Sequence, residues 1–251
     1  MIWAVWLGVF LPFVGTALGA ATVFLVKDGI AEWLNKLFLG FAAGVMLAAA
    51  VWSLILPSAE FATEYGLAEW LPPLLGVSVG FLLFLCVDGL ISRCLPINGG
   101  SKRLLFLSVT FHNVPEGMAV GVSFARFLSI GGISALIAAT SLSVGISLQN
   151  FPEGAIISLP LKTSGKSKRV SFLCGVLSGL VEPIFALLTI ATFSMTVYAL
   201  PWMLSLAAGA MLYVVVEELI PEAAVGAGKK FATVGIALGF ILMMTLDMAL
   251  G

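Results

Sequence analysis

Eight predominantly apolar stretches, at 3–26, 34–58, 70–92, 104–124, 131–160, 170–192, 198–222 and 231–250, take up most of this 251-residue chain. As helix, each is long enough to cross the hydrocarbon core of a bilayer, which takes about 20 residues. In that medium backbone polar groups must be satisfied within a helix or a closed barrel. The stretches lack the alternation of barrel strands, so they predict helices, and the short loops between them leave no room for a soluble domain. Composition agrees. Only 10% of residues are charged, against about 25% in an ordinary globular domain. The expected fold is an all-α polytopic membrane protein: eight transmembrane helices in one domain, 1–251, with the lipid bilayer as its principal partner.

The charges, though few, are not scattered. With an external N-terminus, eleven of the twelve basic residues fall on the cytoplasmic side: Lys27, Lys36, Arg93, Lys102, Arg103, Lys162, Lys166, Lys168, Arg169, Lys229 and Lys230. Arg126 alone falls outside. The positive-inside rule therefore places both termini outside the cytoplasm, in a plasma or inner membrane. The near balance of 12 Lys+Arg and 13 Asp+Glu leaves no basic patch for nucleic acid. Residues 1–20 lack the positive n-region of a secretory signal, so the first stretch reads as a span. Cys86, Cys94 and Cys174 form no CxxC, and with one histidine in the chain a Cys/His zinc cluster is excluded. The outer loop between spans two and three carries Glu60, Glu64 and Glu69 without a base, the sign that draws cations to an external mouth.

Carboxylates inside the spans carry the chemistry. A charged side chain at mid-membrane costs about 2.5–3.5 kcal/mol on insertion scales and marks function by default. Glu116, Glu153 and Glu182 lie well inside spans, and Asp88, Glu217 and Glu218 nearer their cytoplasmic ends. Span four contains His112-Asn113-Val114-Pro115-Glu116-Gly117 and span five Gln149-Asn150-Phe151-Pro152-Glu153-Gly154. Residues three or four apart share a helix face, so His112, Asn113 and Glu116 can converge, as can Gln149, Asn150 and Glu153. Each proline removes an N–H and pushes on the carbonyl four residues earlier, at Phe111 and Leu148, which predicts a kink opening space at the motif. Each following glycine permits close helix approach. Consecutive spans run in opposite directions, so the two motifs meet with inverted polarity, resembling the broken-helix, inverted-repeat sites of transporters. One imidazole, the carboxylates and three amides make a divalent-cation site suited to Zn²⁺, Fe²⁺, Mn²⁺ or Cd²⁺.

A wider repeat surrounds this pair. Leu56-Pro57 in span two matches Ile220-Pro221 in span seven, and Asp88 in span three matches Asp247 in span eight, with offsets of 164 and 159 residues. Regions of about 1–95 and 170–251 thus read as inverted copies flanking a central pair at 104–160.

The two hexapeptides, Glu182-Pro183 in span six and Glu217-Glu218-Leu219-Ile220-Pro221-Glu222-Ala223 in span seven resemble the Zrt-/Irt-like (ZIP) divalent metal transporters, the prokaryotic GufA-like branch above all. The resemblance spans all eight helices. It implies a 3+2+3 inverted-repeat fold, a homodimer, and a two-metal site at mid-membrane: His112, Glu116, Gln149 and Glu153 for one ion, Asn113, Glu116, Asn150, Glu153 and Glu182 for the other. It further implies Met46 as a thioether ligand, Ser53, Glu60 and Asp247 on the way in, and Asp88, Glu217 and Glu218 on the way out. The metal is then substrate, with no cofactor. Two departures matter. Gln149 stands where many eukaryotic members have histidine, and Asn150 where some relatives are acidic, so the second ion has fewer charges to hold it.

The function this implies is uptake of a divalent transition metal, zinc first, into the cytoplasm by alternating access. The competing class is a proton- or sodium-coupled carrier of another solute in which Glu116 and Glu153 titrate. An intramembrane metalloenzyme is disfavoured, because His-Glu-x-x-His is absent and one histidine cannot build the usual zinc hydrolase site.

Overall fold

The computed structural model describes the backbone of residues 2–25, 31–94, 101–163, 165–193, 197–226 and 228–250, with side chains for all of these except 91–112, 163, 193, 197 and 250. The side chains of His112, Cys94, Arg93, Lys102 and Arg103, and the whole of Lys27, lie outside the described residues.

Among the described residues the chain is helical. Span one is α1 (Ile2–Ala21). Span two is α2 (Glu32–Ala48), a π-helical segment (Ala49–Ile55) and α3 (Leu56–Glu64). Spans three to five are α4 (Leu71–Cys94), α5 (Ser101–Ile130) and α6 (Ile133–Thr163). Span six divides into α7 (Lys168–Gly179) and α8 (Val181–Phe193). Span seven is α9 (Leu200–Val214), a π-helical segment (Val215–Leu219) and α10 (Ile220–Ala224), and span eight is α11 (Lys229–Leu250). Seven of these runs are long and apolar enough to cross a membrane. The remaining helix, α5, has 30 residues, roughly 45 Å at the α-helical rise.

Exposure is inverted relative to a soluble protein. Leu74, Val79, Leu82, Leu238 and Ile241 point outward from α4 and α11, while Asn113, Glu116, Gln149, Asn150 and Glu182 are buried. Lipid is the solvent that makes this arrangement stable. Trp3, Trp33, Trp70 and Tyr198, all exposed, sit near the starts of spans, at the depth where amphipathic rings favour the membrane interface.

Apolar side chains gain little by leaving lipid for one another, so small residues and close backbone contact set the helix pairs. Gly40 and Gly44 of α2 face the carbonyls of Ala232 and Ile236, and Gly235 and Gly239 of α11 face those of Leu37 and Phe41. The same reciprocity joins α4 to α9, with Gly80 on the Leu206 carbonyl and Gly209 on that of Val77. Gly76 and Gly80 precede Gly235 and Gly239 by 159 residues, the separation of Asp88 and Asp247. The other extensive pairs are α1 with α6 and α5 with α8. One group of helices thus contains α1, α5, α6, α7 and α8, and another α2, α4, α9 and α11.

Three findings depart from the sequence expectations. First, the departure from α-helical bonding is not at the motif prolines, where α5 and α6 stay helical through Pro115 and Pro152. A proline costs a single backbone bond, which surrounding helices and polar side chains can absorb. The irregular backbone instead lies before Pro57 and Pro221. There Leu56 N–H bonds the Val51 carbonyl and Ile220 N–H that of Val215, one residue further back than an α-helix allows. Second, Glu60 and Glu64 are on α3 rather than in a loop, because nothing stops the helix before Gly66, whose φ of 73° turns the chain. Third, span six is interrupted at Leu180. Pro183 has no N–H for the Gly179 carbonyl and crowds it.

Candidate metal centre

The motif side chains meet where α1, α5, α6 and α8 converge. The break at Leu180 leaves Glu182 in the first turn of α8, where unpaired N–H groups and the helix dipole favour a carboxylate. Its two oxygens have different partners. Asn150 Nδ2 donates to Oε2 at 2.7 Å and Thr16 Oγ1 to Oε1 at 3.1 Å. On the neighbouring motif, Gln149 Nε2 donates to Glu116 Oε1. Asn113 Nδ2 donates 3.0 Å to the Ser178 carbonyl, tying α5 to α7.

These bonds fix which way each amide points. With every Nδ2 or Nε2 committed, the amide oxygens are left over: Asn113 Oδ1, Gln149 Oε1 and Asn150 Oδ1 are buried without a hydrogen-bond donor among the described residues, and so is Glu116 Oε2. A buried acceptor left unsatisfied costs about 1–3 kcal/mol. Glu153 is also buried, and its carboxylate and that of Glu182 are near enough to repel Glu116. Electron-rich atoms concentrated in this way are stabilised by positive charge. Among the described residues no three His, Cys, Asp or Glu side chains stand close enough to hold an ion by themselves. The convergent donors are a mixture of carboxylate and amide oxygens, and the His112 imidazole falls outside the described residues.

The motif glycines have the role their spacing predicts. A Cβ on Gly117 would lie 2.5 Å from the Glu182 carbonyl oxygen, and one on Gly154 would strike the Thr16 carbonyl. They let α8 and α1 approach at the turns that carry Glu182 and Thr16. Sequence reasoning missed Thr16, Ser178 and the Pro12 carbonyl, which Asn150 Nδ2 also reaches at 3.4 Å. For Thr16 a signal existed: a hydroxyl between Gly15 and Gly19 in an apolar span.

The other sequence candidates lie elsewhere. Met46 is fully buried in the apolar core on α2. Ser53 Oγ donates 2.8 Å to Asp247 Oδ1, and both line a cavity of about 280 Å³ together with Glu60 and Arg126. Asp88 accepts from the Tyr213 hydroxyl at 3.0 Å. Glu217 is exposed and Glu218 half-buried, both on the π-helical segment of span seven. The structure therefore brings Glu116 to Gln149, Asn150 to Glu182 and Ser53 to Asp247, and keeps the last pair apart from the motif cluster.

Comparison with known proteins bears on the same residues. The family model described as the ZIP zinc transporter matches residues 100–247, which include both hexapeptides and Glu182. The chain is 32% identical to human zinc transporter ZIP11, over 98% of this chain and 96% of that one. It is 38% identical to zinc transporter ZIPB of Bordetella bronchiseptica over 95% of this chain and 79% of that one. To zinc transporter GufA of Myxococcus xanthus it is 41% identical, over 61% and 59%.

Proposed function

Since this chain belongs to the ZIP zinc transporter family, we propose that it carries zinc or a related divalent metal inward across a plasma or inner membrane, through a mid-membrane site on α5, α6 and α8. It is a transport protein and not an enzyme, and the metal is its substrate. The carrying observation is the set of four buried oxygens without donors among the described residues, Asn113 Oδ1, Glu116 Oε2, Gln149 Oε1 and Asn150 Oδ1. A divalent ion bonded to them offsets their desolvation and the mutual repulsion of the carboxylates at once.

The proposed site is binuclear. His112, Glu116, Gln149 and Glu153 take one ion; Asn113, Glu116, Asn150, Glu153 and Glu182 take the other. Each bridging carboxylate has two oxygens to share. The Gln149–Glu116 and Asn150–Glu182 contacts, one on each proposed ion's side, support this division. Met46 is the proposed thioether ligand, contributed from the opposite helix group.

The proposed frame is eight helices in a 3+2+3 inverted repeat, both termini outside the cytoplasm, in a homodimer. The matched π-helical segments before Pro57 and Pro221, and the shared 159-residue offset of the packing glycines, support the repeat. Related ends of such a repeat face opposite sides of the membrane. Ser53, Glu60 and Asp247 then form the outer mouth, and Asp88, Glu217 and Glu218 the inner one. Alternating access is movement of the α1, α5, α6, α7 and α8 group against the α2, α4, α9 and α11 group.

The test is zinc uptake into proteoliposomes by wild type and Glu153→Ala, with cadmium, iron and manganese as competitors. Uptake lost in the variant is expected. Absence of metal flux in the wild type, or flux unaffected by Glu153→Ala, overturns the proposal.

A further inference from the structure

Arg126 is the one basic residue on the proposed outer side, and it lines the outer cavity with Glu60, Asp247 and Ser53. A fixed cation in the path of an arriving cation is an unfavourable placement unless it serves that path. Its position is built. The guanidinium carbon of Arg126 lies 4.7 Å from the centre of the Phe61 ring, within cation–π range. Its Nε is buried without a hydrogen-bond partner among the described residues. Glu60 and Glu64 act on it electrostatically, yet among the described residues no ion pair ties it to either. The charge is held over a ring, left unneutralised by direct contact, and directed at the cavity wall.

We propose that Arg126 is a specificity-determining residue of the outer mouth: a tethered counter-charge that offsets part of the Glu60 and Asp247 field. The mouth then holds a divalent ion less tightly, and a monovalent ion, which feels half that field energy, is weakened to a smaller degree. The inference rests on the metal-transport reading. It concerns the mouth and not the motif cluster: Arg126 follows Glu116 by ten residues on α5, roughly 15 Å along the helix.

The expected effect depends on valence. A cavity of about 280 Å³ holds an ion within roughly 8 Å of each lining group. At that distance in water, removing one positive charge favours a divalent ion about five-fold and a monovalent ion about two-fold. Salt shrinks both effects, since the Debye length is about 10 Å at 0.1 M.

The experiment measures KM for zinc, and inhibition by potassium, in proteoliposomes at low and high ionic strength, for Arg126→Gln, Arg126→Lys and Phe61→Leu. Arg126→Gln is expected to lower the zinc KM about five-fold at low salt and to strengthen potassium inhibition about two-fold, with both effects fading at high salt. Arg126→Lys and Phe61→Leu, which retain the charge, stay within two-fold of wild type. An unchanged KM in Arg126→Gln overturns the inference, and so does an equal shift in Arg126→Lys or Phe61→Leu, which assigns Arg126 to packing. Neither result touches the transport reading, which fails only through Glu153→Ala or through absence of flux in the wild type.

Discussion

Asn150 Nδ2 sits 2.7 Å from Glu182 Oε2, so an uncharged amide holds a buried carboxylate from across two helices. With a second carboxylate in place of the amide, the pair would repel unless a cation stood between them. Asn150→Asp is therefore expected to lower thermal stability in detergent with a chelator present, and to enlarge the stabilisation that zinc provides. Differential scanning fluorimetry with and without zinc measures both. A variant whose melting temperature with zinc rises no more than that of wild type contradicts a metal at this position.

The two proposed ions have unequal donors. Imidazole is a better ligand than an amide oxygen for borderline metals, and Asn150 is engaged with Glu182 and the Pro12 carbonyl. His112→Ala is expected to reduce initial zinc uptake by at least ten-fold and Asn150→Ala by a smaller factor. Equal losses in the uptake assay count against two unequal sites.

The spans and the motif residues are legible in the sequence because lipid enforces a simple rule: long apolar runs become helices, and a carboxylate within one needs a reason. Glu116, Glu153 and Glu182 are visible on that basis alone. Thr16 is marked only by its flanking glycines, a weaker signal, since a single hydroxyl in an apolar span can bond its own backbone, and Thr16 Oγ1 also lies 3.4 Å from the Pro12 carbonyl. The location of irregular backbone is illegible. Pro115, Pro152, Pro57 and Pro221 are locally alike, and the neighbours of each determine whether the lost bond is absorbed or shifts the helix to π geometry. The ends of spans mislead for a related reason: Glu60 and Glu64 are polar enough to suggest a loop, yet a helix leaving the membrane continues until a residue such as Gly66 turns it.

Binding at the centre consumes ligands in their deprotonated forms. One competing imidazole accounts for about a ten-fold loss of apparent affinity between pH 7.5 and 5.5, and shared carboxylates add to it. Zinc binding by the purified protein, followed calorimetrically across that interval, is expected to weaken by at least that factor as pH falls. The sign follows from protons and metal competing for the same lone pairs. A flat profile would falsify ligation by His112.

Close approach at the motif glycines is separable from ligand chemistry. Gly154→Ala forces a methyl against the Thr16 carbonyl, with the Ala20 nitrogen 2.7 Å away; overpacking of this kind costs about 1–3 kcal/mol. Gly117→Ala presses on the Glu182 backbone instead, so it is expected to weaken zinc affinity as well as stability, because the carboxylate shifts with α8. Gly89 on α4 is the control. A Cβ there meets nothing within 4 Å, and Gly89→Ala is expected to be neutral or mildly stabilising, as alanine is favoured over glycine within a helix. Thermal unfolding in detergent ranks the three. If Gly89→Ala is as destabilising as Gly154→Ala, the loss reflects helix context, and the α1–α6 crossing is not what Gly154 serves.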